Sequence, residues 1–393
     1  MAKAQTEKMP PDSHCLVAQI DLFAVVHNCR VLRGFVSEKC RMCVAVKCNA
    51  YGHGIDVVLP ALKSANVDML AVATIREAEQ LRALRWDRPI LLLGSQLSIY
   101  TGERKNEMAD WIVANEVRIT AMYKEDIDAL ALAARRLKKK AIVHLMLDSG
   151  MGRMGLGEEK LLELINAVKG HSEIEIEGLY THLSTADAAD KSYSLQQLKR
   201  FDDFIGKLKS DGMNIPIIHA ANAAAVIDLP ESHYDMIRPG IAVYGYQPGA
   251  QMLNKPDLTP SMKLISYLYA VKRISKGGYA GYGNTWQASE DTVAGLVPVG
   301  YGDGYDRRLS NMGRMKIAGI LVPVIGRVSM DQTILDLTPL VRRKIEVYPG
   351  REVTVIDNDP DAPNSIEAIA AQLQTIPYEI VTKLGPRIMR VPV

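Results

Sequence analysis

Val44-Ala45-Val46-Lys47-Cys48-Asn49-Ala50-Tyr51-Gly52-His53-Gly54 reads as a short apolar strand that delivers one lysine and then turns through an Asn-, Gly- and His-containing loop. Lysine is rarely buried without a reason. At a strand end, among apolar neighbours, its ammonium can lose a proton and serve as nucleophile or base. The alternative is a stem lying along a strand edge with its charge in water. These residues alone do not separate the two readings; the chain on either side does.

From about residue 20 to residue 240, short apolar runs alternate with helix-patterned segments. A helix pattern over 21–36 leads to a strand at Cys43–Val46, and patterns over 55–66 and 75–84 lead to strands at Met69–Ala73 and Ile90–Gly94. Patterns over 107–114 and 125–137 flank a strand at Val117–Thr120, the faintest of the set, and feed one at Ile142–Leu147. Helices over 158–169, 194–208 and 222–227 lead in turn to strands at Ile176–His182, Pro216–Ala220 and Tyr234–Ile237. Eight strands separated by helical sequence predict a parallel sheet, and eight such units close into a (β/α)8 TIM-like barrel; a doubly wound open sheet is the alternative. The composition shifts near Pro248. From Lys263 onward, β-rich runs (Leu264–Ile274, Val293–Val299, Met315–Ile325, Val353–Ile356) precede one helix pattern at Ser365–Leu373. The expected division is a barrel over 17–248 and a mostly β domain over 249–393, which residues 1–16 can join.

The 393 residues, 48% hydrophobic and 23% charged, suffice for one large and one smaller domain. A net charge of +2 gives no electrostatic argument for nucleic acid or an anionic membrane as partner. The cluster Arg135-Arg136-Leu137-Lys138-Lys139-Lys140 reads as a solvated helix end. Residues 1–14 lack the apolar core of a signal peptide, and no apolar run reaches the ~18 residues of a membrane helix, so a soluble, cytoplasmic protein is expected. All five cysteines lie within the first 48 residues. Cys40 and Cys43 form a CxxC without the second pair that zinc needs, so buried, reduced thiols and no metal are expected.

A barrel carries function at the C-terminal ends of its strands. There Lys47 ends the first strand, and Asp148-Ser149-Gly150-Met151-Gly152-Arg153 follows the fifth. His182, within Tyr180 to Asp187, ends the sixth; His219 and Asn222 follow the seventh; Arg238-Pro239-Gly240-Ile241 follows the eighth. A lone histidine is more often a paired core residue than a functional one. Ionisable groups at five strand ends of one face are harder to read as structural. A strand-end lysine forms Schiff bases with carbonyl substrates or with pyridoxal phosphate. Barrels bind phosphate after the seventh and eighth strands, where Asn222 and the Gly240 and Ile241 amides stand. Both features suit pyridoxal phosphate, and a class I aldolase shares them.

Seven motifs then stand in one order: Ala45 to Gly54, Asp148 to Arg153, Tyr180 to Asp187, Arg238 to Gly245, Gly281-Tyr282-Gly283, Val299 to Tyr305 and Gly326 to Gln332. On them the chain, from about residue 17 to its C-terminus, resembles the bacterial alanine racemases, fold-type III pyridoxal 5'-phosphate enzymes. The resemblance implies roles. Lys47 holds the cofactor as a Schiff base and is the base on one substrate face; Tyr282 is the base on the other. Tyr51, Gly240 and Ile241 contact the phosphate, with Asn222 beside them, and Arg238 bonds the pyridine nitrogen. His219 supports Arg238, and His182 sits between Arg238 and Tyr282. Arg153 touches the cofactor and the substrate carboxylate, whose pocket Tyr301, Met330 and Asp331 complete. In this family Tyr282, Tyr301 and Met330 come from a second subunit, so the resemblance implies a head-to-tail homodimer. It also implies D-alanine supply to peptidoglycan.

Inversion at an α-carbon requires a proton removed from one face and returned to the other, and two opposed bases accomplish this without moving. Arginine opposite the pyridine nitrogen donates a hydrogen bond but does not release its proton. Four positions depart from the family pattern. Met146 stands where many members carry a carboxylated lysine, leaving Arg153 to another acceptor such as an anion. Ala223 and Pro386 replace phosphate-binding hydroxyls, and Cys48 reads as a packing variant of alanine. An amino-acid or serine racemase of broader range shares the same core. A decarboxylase, an aldolase or a non-catalytic cofactor carrier does not need Tyr282.

Overall fold

Eight parallel strands succeed one another around the first unit, Leu22–Thr259, of the computed structural model, which describes residues 15–393. The chain's first strand, β1 (Leu16–Ile20), is not among them. They are β2 (Arg41–Ala45), β3 (Met69–Val72), β4 (Ile90–Leu92), β5 (Val117–Ala121), β6 (Ala141–Met146), β7 (Ile174–Tyr180), β8 (Ile217–His219) and β9 (Met236–Ile237). Their order is β8-β7-β6-β5-β4-β3-β2-β9. The ring closes between β8 and β9, where Asp235 N donates to Ile218 O at 3.0 Å and Arg238 N to Ala221 O at 2.8 Å. The sheet is a closed (β/α)8 barrel and not the doubly wound alternative.

β3 and β4 read as unbroken apolar runs because helices cover them outside and side chains fill the barrel inside; every residue of both is buried. In β5 the buried Thr120 interrupts the pattern. Its hydroxyl bonds Leu92 O at 3.0 Å and the Tyr180 hydroxyl at 2.8 Å, which satisfies it in the core. Helices Leu22–Arg33, Ile55–Ser64, Ile75–Ala83, Lys124–Leu137, Glu158–Lys169 and Ser192–Ser210 lie where the periodicity puts them. The helix expected over 107–114 begins earlier, at Gly102, because its exposed first turn is polar and carries no apolar period.

The second unit comprises residues 15–21 and 260–393. Its strands are β10 (Met262–Tyr267), β11 (Ala270–Ile274), β12 (Thr292–Val297), β13 (Arg314–Ile317), β14 (Ile320–Pro323), β15 (Thr333–Asp336), β16 (Glu352–Ile356) and β17 (Met389–Pro392). They form a six-stranded sheet, β14-β13-β16-β10-β1-β17, and a three-stranded sheet, β11-β12-β15. The units divide at Asp21/Leu22 and Thr259/Pro260, whereas the sequence pattern placed the limits at 17 and 248. β1 pairs antiparallel with β10 and parallel with β17, partners far along the chain. The run Leu264–Ile274 is two strands in different sheets, broken at Leu268 and Tyr269. Met315–Ile325 is a hairpin around Ala318-Gly319, whose φ of 49° and 77° match a two-residue hairpin turn.

Cys29, Cys40 and Cys43 are buried free thiols, whereas Cys15 and Cys48 are exposed, so the buried-thiol expectation fails at two positions. Burial pushes Cys29 and Cys43 up to about 12, which leaves them protonated and unreactive. No helix among the described residues is long and apolar enough to cross a membrane.

Asn28 ties the last loop of the barrel unit to its first helix. The buried amide donates to Val243 O at 3.2 Å and Thr259 O at 2.9 Å, and accepts from Thr259 N at 2.8 Å. Asn28→Ala strands these groups and is expected to cost about 1–3 kcal/mol, read from the urea midpoint; an unchanged midpoint would show that water replaces the amide.

Candidate active site

Lys47 stands one residue beyond Val46, just past the end of β2 at Ala45, and not on the strand itself. It opens a turn in which Cys48, Asn49, Ala50 and Tyr51 all have φ between 52° and 54°. A left-handed turn of L-residues costs about 1–2 kcal/mol per residue, so its neighbours must hold it. Glu77 does so. Its carboxylate accepts from Cys48 N at 2.7 Å, Ala73 N at 2.8 Å and Thr74 N at 3.0 Å. Thr74 completes a capping box by accepting from Glu77 N at 3.2 Å. On the other side Asn49 Oδ1 accepts from Ile55 N at 2.9 Å, and His53 Nδ1 donates to Tyr51 O at 2.9 Å while its ring stacks on Tyr244. Lys47 is left half-buried and Cys48 exposed, so Cys48 is not a packing variant.

The turn brings the Tyr51 hydroxyl against Gly240. A Cβ built on Gly240 would lie 2.5 Å from that oxygen, so only glycine admits the tyrosine there. Burial pushes the Tyr51 phenol up and keeps it a neutral donor. Ile241 opens the single turn Ile241–Tyr244. The Asn222 side chain is committed to the backbone: it accepts from Ala225 N at 3.1 Å and donates to Leu183 O at 3.2 Å. A phenol hydroxyl, a side-chain-free glycine beside it, an amine and a guanidinium fit a phosphorylated pyridine aldehyde. Ala223 is buried and Pro386 exposed, and neither supplies a hydroxyl.

Arg238, only 6% exposed, meets no carboxylate among the described residues. It donates to His219 Nδ1 at 2.8 Å, Thr181 O at 2.9 Å, Ala220 O at 3.1 Å and His182 Nδ1 at 3.3 Å, and its guanidinium carbon lies 5.0 Å from the centre of the Tyr180 ring. His182 is two residues past the end of β7, not its last residue. Burial, then the Arg238 charge, holds His219 well below its ordinary value. Burial, then Arg238, Arg153 and Lys47, brings His182 down to about 3. Both imidazoles are neutral near pH 7.

The Arg153 loop is shaped by Asp148, whose carboxylate accepts from Gly150 N, Met151 N and Gly152 N at 3.0, 2.9 and 3.1 Å. Tyr193 donates to Gly150 O at 2.7 Å and Arg200 to Ser149 O at 3.0 Å. Arg153 is exposed, and the buried Met146 offers it no acceptor.

In the second unit Tyr282 is 73% exposed. Its loop is closed by the Tyr279–Gln287 bridge and by Ala280 N donating to Trp286 O at 3.2 Å, over a core of Ile274, Ala280, Ala288, Ala294 and Ile325. Tyr301 N donates to Ser329 O at 3.0 Å and Gly302 N to Met330 O at 2.9 Å, which joins the two motifs carrying Tyr301 and Met330. Asp331 does not present a free carboxylate: Arg387 bonds it at 2.7 Å and pairs with Asp303 at 2.9 Å. The sequence reading missed Arg387 and Glu77. Glu77 had a signal, the Thr74-x-x-Glu77 capping box; Arg387 had none, since its partners are far along the chain.

Residues 20–248 match the family model for the alanine racemase N-terminal domain, and residues 261–392 match that for the C-terminal domain. The alanine racemase of Methanococcus maripaludis is 36% identical over 382 residues, covering 96% of this chain and 99% of that protein. That of Desulfovibrio desulfuricans is 35% identical over 374 residues, 95% and 97% of the two chains. Among solved structures, alanine racemase from Bacillus anthracis with bound L-Ala-P has a TM-score of 0.87 at 30% identity, covering 98% of this chain and 96% of that one. Alanine racemase from Bartonella henselae, with covalently bound pyridoxal phosphate, has a TM-score of 0.83 at 27% identity, covering 97% and 100%. Fold and matches together define a pyridoxal phosphate-dependent racemase, an isomerase. The chain belongs to the alanine racemase family.

The neutral imidazoles couple stability to pH. A histidine held below its unfolded value binds fewer protons folded than unfolded between the two values, so stability falls with acid across that window. For His182 the window runs from 6.5 to about 3, and His219 and His144 act in the same direction. Each fully neutral imidazole contributes at most about 1.4 kcal/mol per pH unit. The urea midpoint is expected to be lower at pH 5 than at pH 7; equal or higher stability at pH 5 would contradict the buried neutral cluster.

Proposed function

We propose that this chain interconverts L-alanine and D-alanine at a pyridoxal phosphate held in the barrel mouth, with Lys47 and Tyr282 exchanging the Cα proton from opposite faces. The observation that carries this reading is the juxtaposition of Lys47, presented by its strained turn, with the Tyr51–Gly240 cradle and the carboxylate-free Arg238 cluster. Pyridoxal phosphate, when bound, acidifies the Cα–H of an attached amino acid. Lys47 Nζ holds the cofactor and takes or returns the proton on one face, and the Tyr282 hydroxyl does so on the other. Tyr51 and the Gly240 and Ile241 amides receive the phosphate, with Asn222 shaping that loop. Arg153, the Met330 amide and Tyr301 receive the substrate carboxylate, and Asp331 holds their loop through Arg387. Arg238, supported by His219 and His182, would donate a hydrogen bond to the pyridine nitrogen while keeping its own proton, and so would limit the charge drawn onto the ring. That favours return of the proton to Cα over transamination. The working form is a head-to-tail homodimer in which Tyr282, Tyr301 and Met330 serve the site of a second copy; the exposure of Tyr282 on a firmly closed loop supports this. The D-alanine so formed would feed peptidoglycan assembly from the cytoplasm.

With L- or D-alanine in deuterated water, the protein is expected to interconvert the enantiomers with solvent deuterium at Cα. Lys47→Ala and Tyr282→Phe should each lose about 100-fold or more. Mixed after reversible dissociation, these two inactive variants should recover activity, to about a quarter of wild type, because half the random dimers carry one intact shared site. No recovery would sink the shared-site dimer, and carbon dioxide release without exchange would sink racemisation. Parallel assays with L-serine define the substrate range.

Arg238→Glu offers the ring nitrogen a carboxyl group in place of a permanent cation. The ratio of transamination to racemisation is expected to rise by at least about tenfold; an unchanged ratio would reject the role given to Arg238.

A further inference from the structure

The hydrogen bonds of Arg238 continue past His219. His219 Nε2 meets His144 Nδ1 at 2.9 Å, His144 Nε2 meets Glu177 at 2.9 Å, and Arg118 grips both Glu177 oxygens at 3.1 Å. The direction of every link follows from the two ends. A guanidinium has only donors, so His219 Nδ1 accepts and its proton is on Nε2. His144 Nδ1 must then accept, and its Nε2–H donates to a carboxylate, which has only acceptors when ionised. Both imidazoles are thereby single, neutral Nε2–H tautomers, and every proton points outward from Arg238 to Glu177.

The surroundings are built for this chain of contacts. His144 lies mid-strand in β6, where its ring occupies the space that a side chain on Gly178 would take, and the β6–β7 register is irregular between Val143 and His144. Tyr180 stacks on His219 with centroids 4.8 Å apart and planes at 13°. Glu177, with 15% of its side chain exposed, stays ionised. Burial raises it, but the His144 and Arg118 hydrogen bonds outweigh burial and bring it to about 2.

We propose that Glu177, through His144 and His219, is the positioning residue that sets the Arg238 guanidinium toward the cofactor's ring nitrogen. The proposal rests on the pyridoxal phosphate reading above. A carboxylate touching Arg238 would neutralise it and compete for its donors. Two imidazoles away and paired with Arg118, Glu177 instead fixes which His219 nitrogen accepts from Arg238 and leaves the guanidinium's remaining donors to the ring. The outward polarity also opposes proton delivery to the ring, since inward transfer would require all three links to reverse.

Neutron diffraction on perdeuterated wild-type holoenzyme reads the polarity directly. Deuterons are expected on Nε2 of both His144 and His219; one on Nδ1 of either overturns the proposal, whatever the variants do. Glu177→Gln and Glu177→Leu then test the consequence. In both, the absorption band of the bound cofactor should shift and kcat should fall about tenfold or more, with KM for alanine and Kd for pyridoxal phosphate changed less than about threefold. A wild-type spectrum and kcat, or losses in KM and Kd as large as that in kcat, would reduce Glu177 to a structural residue. A wild-type protein that binds no pyridoxal phosphate would instead sink the cofactor reading, while diffraction from cofactor-free crystals would still decide the tautomers.

Discussion

A guanidinium buried without a touching carboxylate is the constraint around which the barrel mouth is arranged. Removing a cation from water costs several kcal/mol unless its donors are met. For Arg238 they are met by two backbone carbonyls and two imidazoles. The imidazoles can accept only while neutral, and the Arg238 charge helps to keep them so. Thr120, Tyr180 and the irregular β6–β7 pairing make room for and orient this cluster, so much of the polar interior of the barrel exists to hold one cation in place.

The second demand is on the backbone. Four consecutive left-handed residues after Lys47 run against the preference of L-amino acids. Such a turn persists where the fold over-determines it. Here one carboxylate, Glu77, accepts three backbone amides from the turn and from the next β–α connection. The helix cap of one barrel repeat therefore sets the lysine of the repeat before it.

Much of this was legible in the chain itself. The eight-fold alternation, the strand-end groups from Lys47 to Arg238 and the β-rich tail follow from periodicity and residue type. What was misread shares a cause: a local pattern overruled by a distant partner. The domain limit expected at 17 puts most of β1 with the barrel, but its hydrogen bonds go to β10 and β17. The Leu264–Ile274 run changes sheets midway. Asp331 looks like a pocket residue until Arg387 is found bound to it. Cys48 looks like a small core substitution, but the handedness of its turn leaves it exposed.

By itself the sequence determined the class of fold and the residue types at its mouth, because helix and strand periods and strand-end placement are local properties. Only the tertiary structure decided how those residues act on one another. Whether a histidine is neutral, which of its nitrogens carries the proton and whether an arginine meets a carboxylate depend on groups tens of positions apart. In this chain the line from Arg238 through His219 and His144 to Glu177 exists only once the barrel closes, since burial and hydrogen-bond direction are set by that closure.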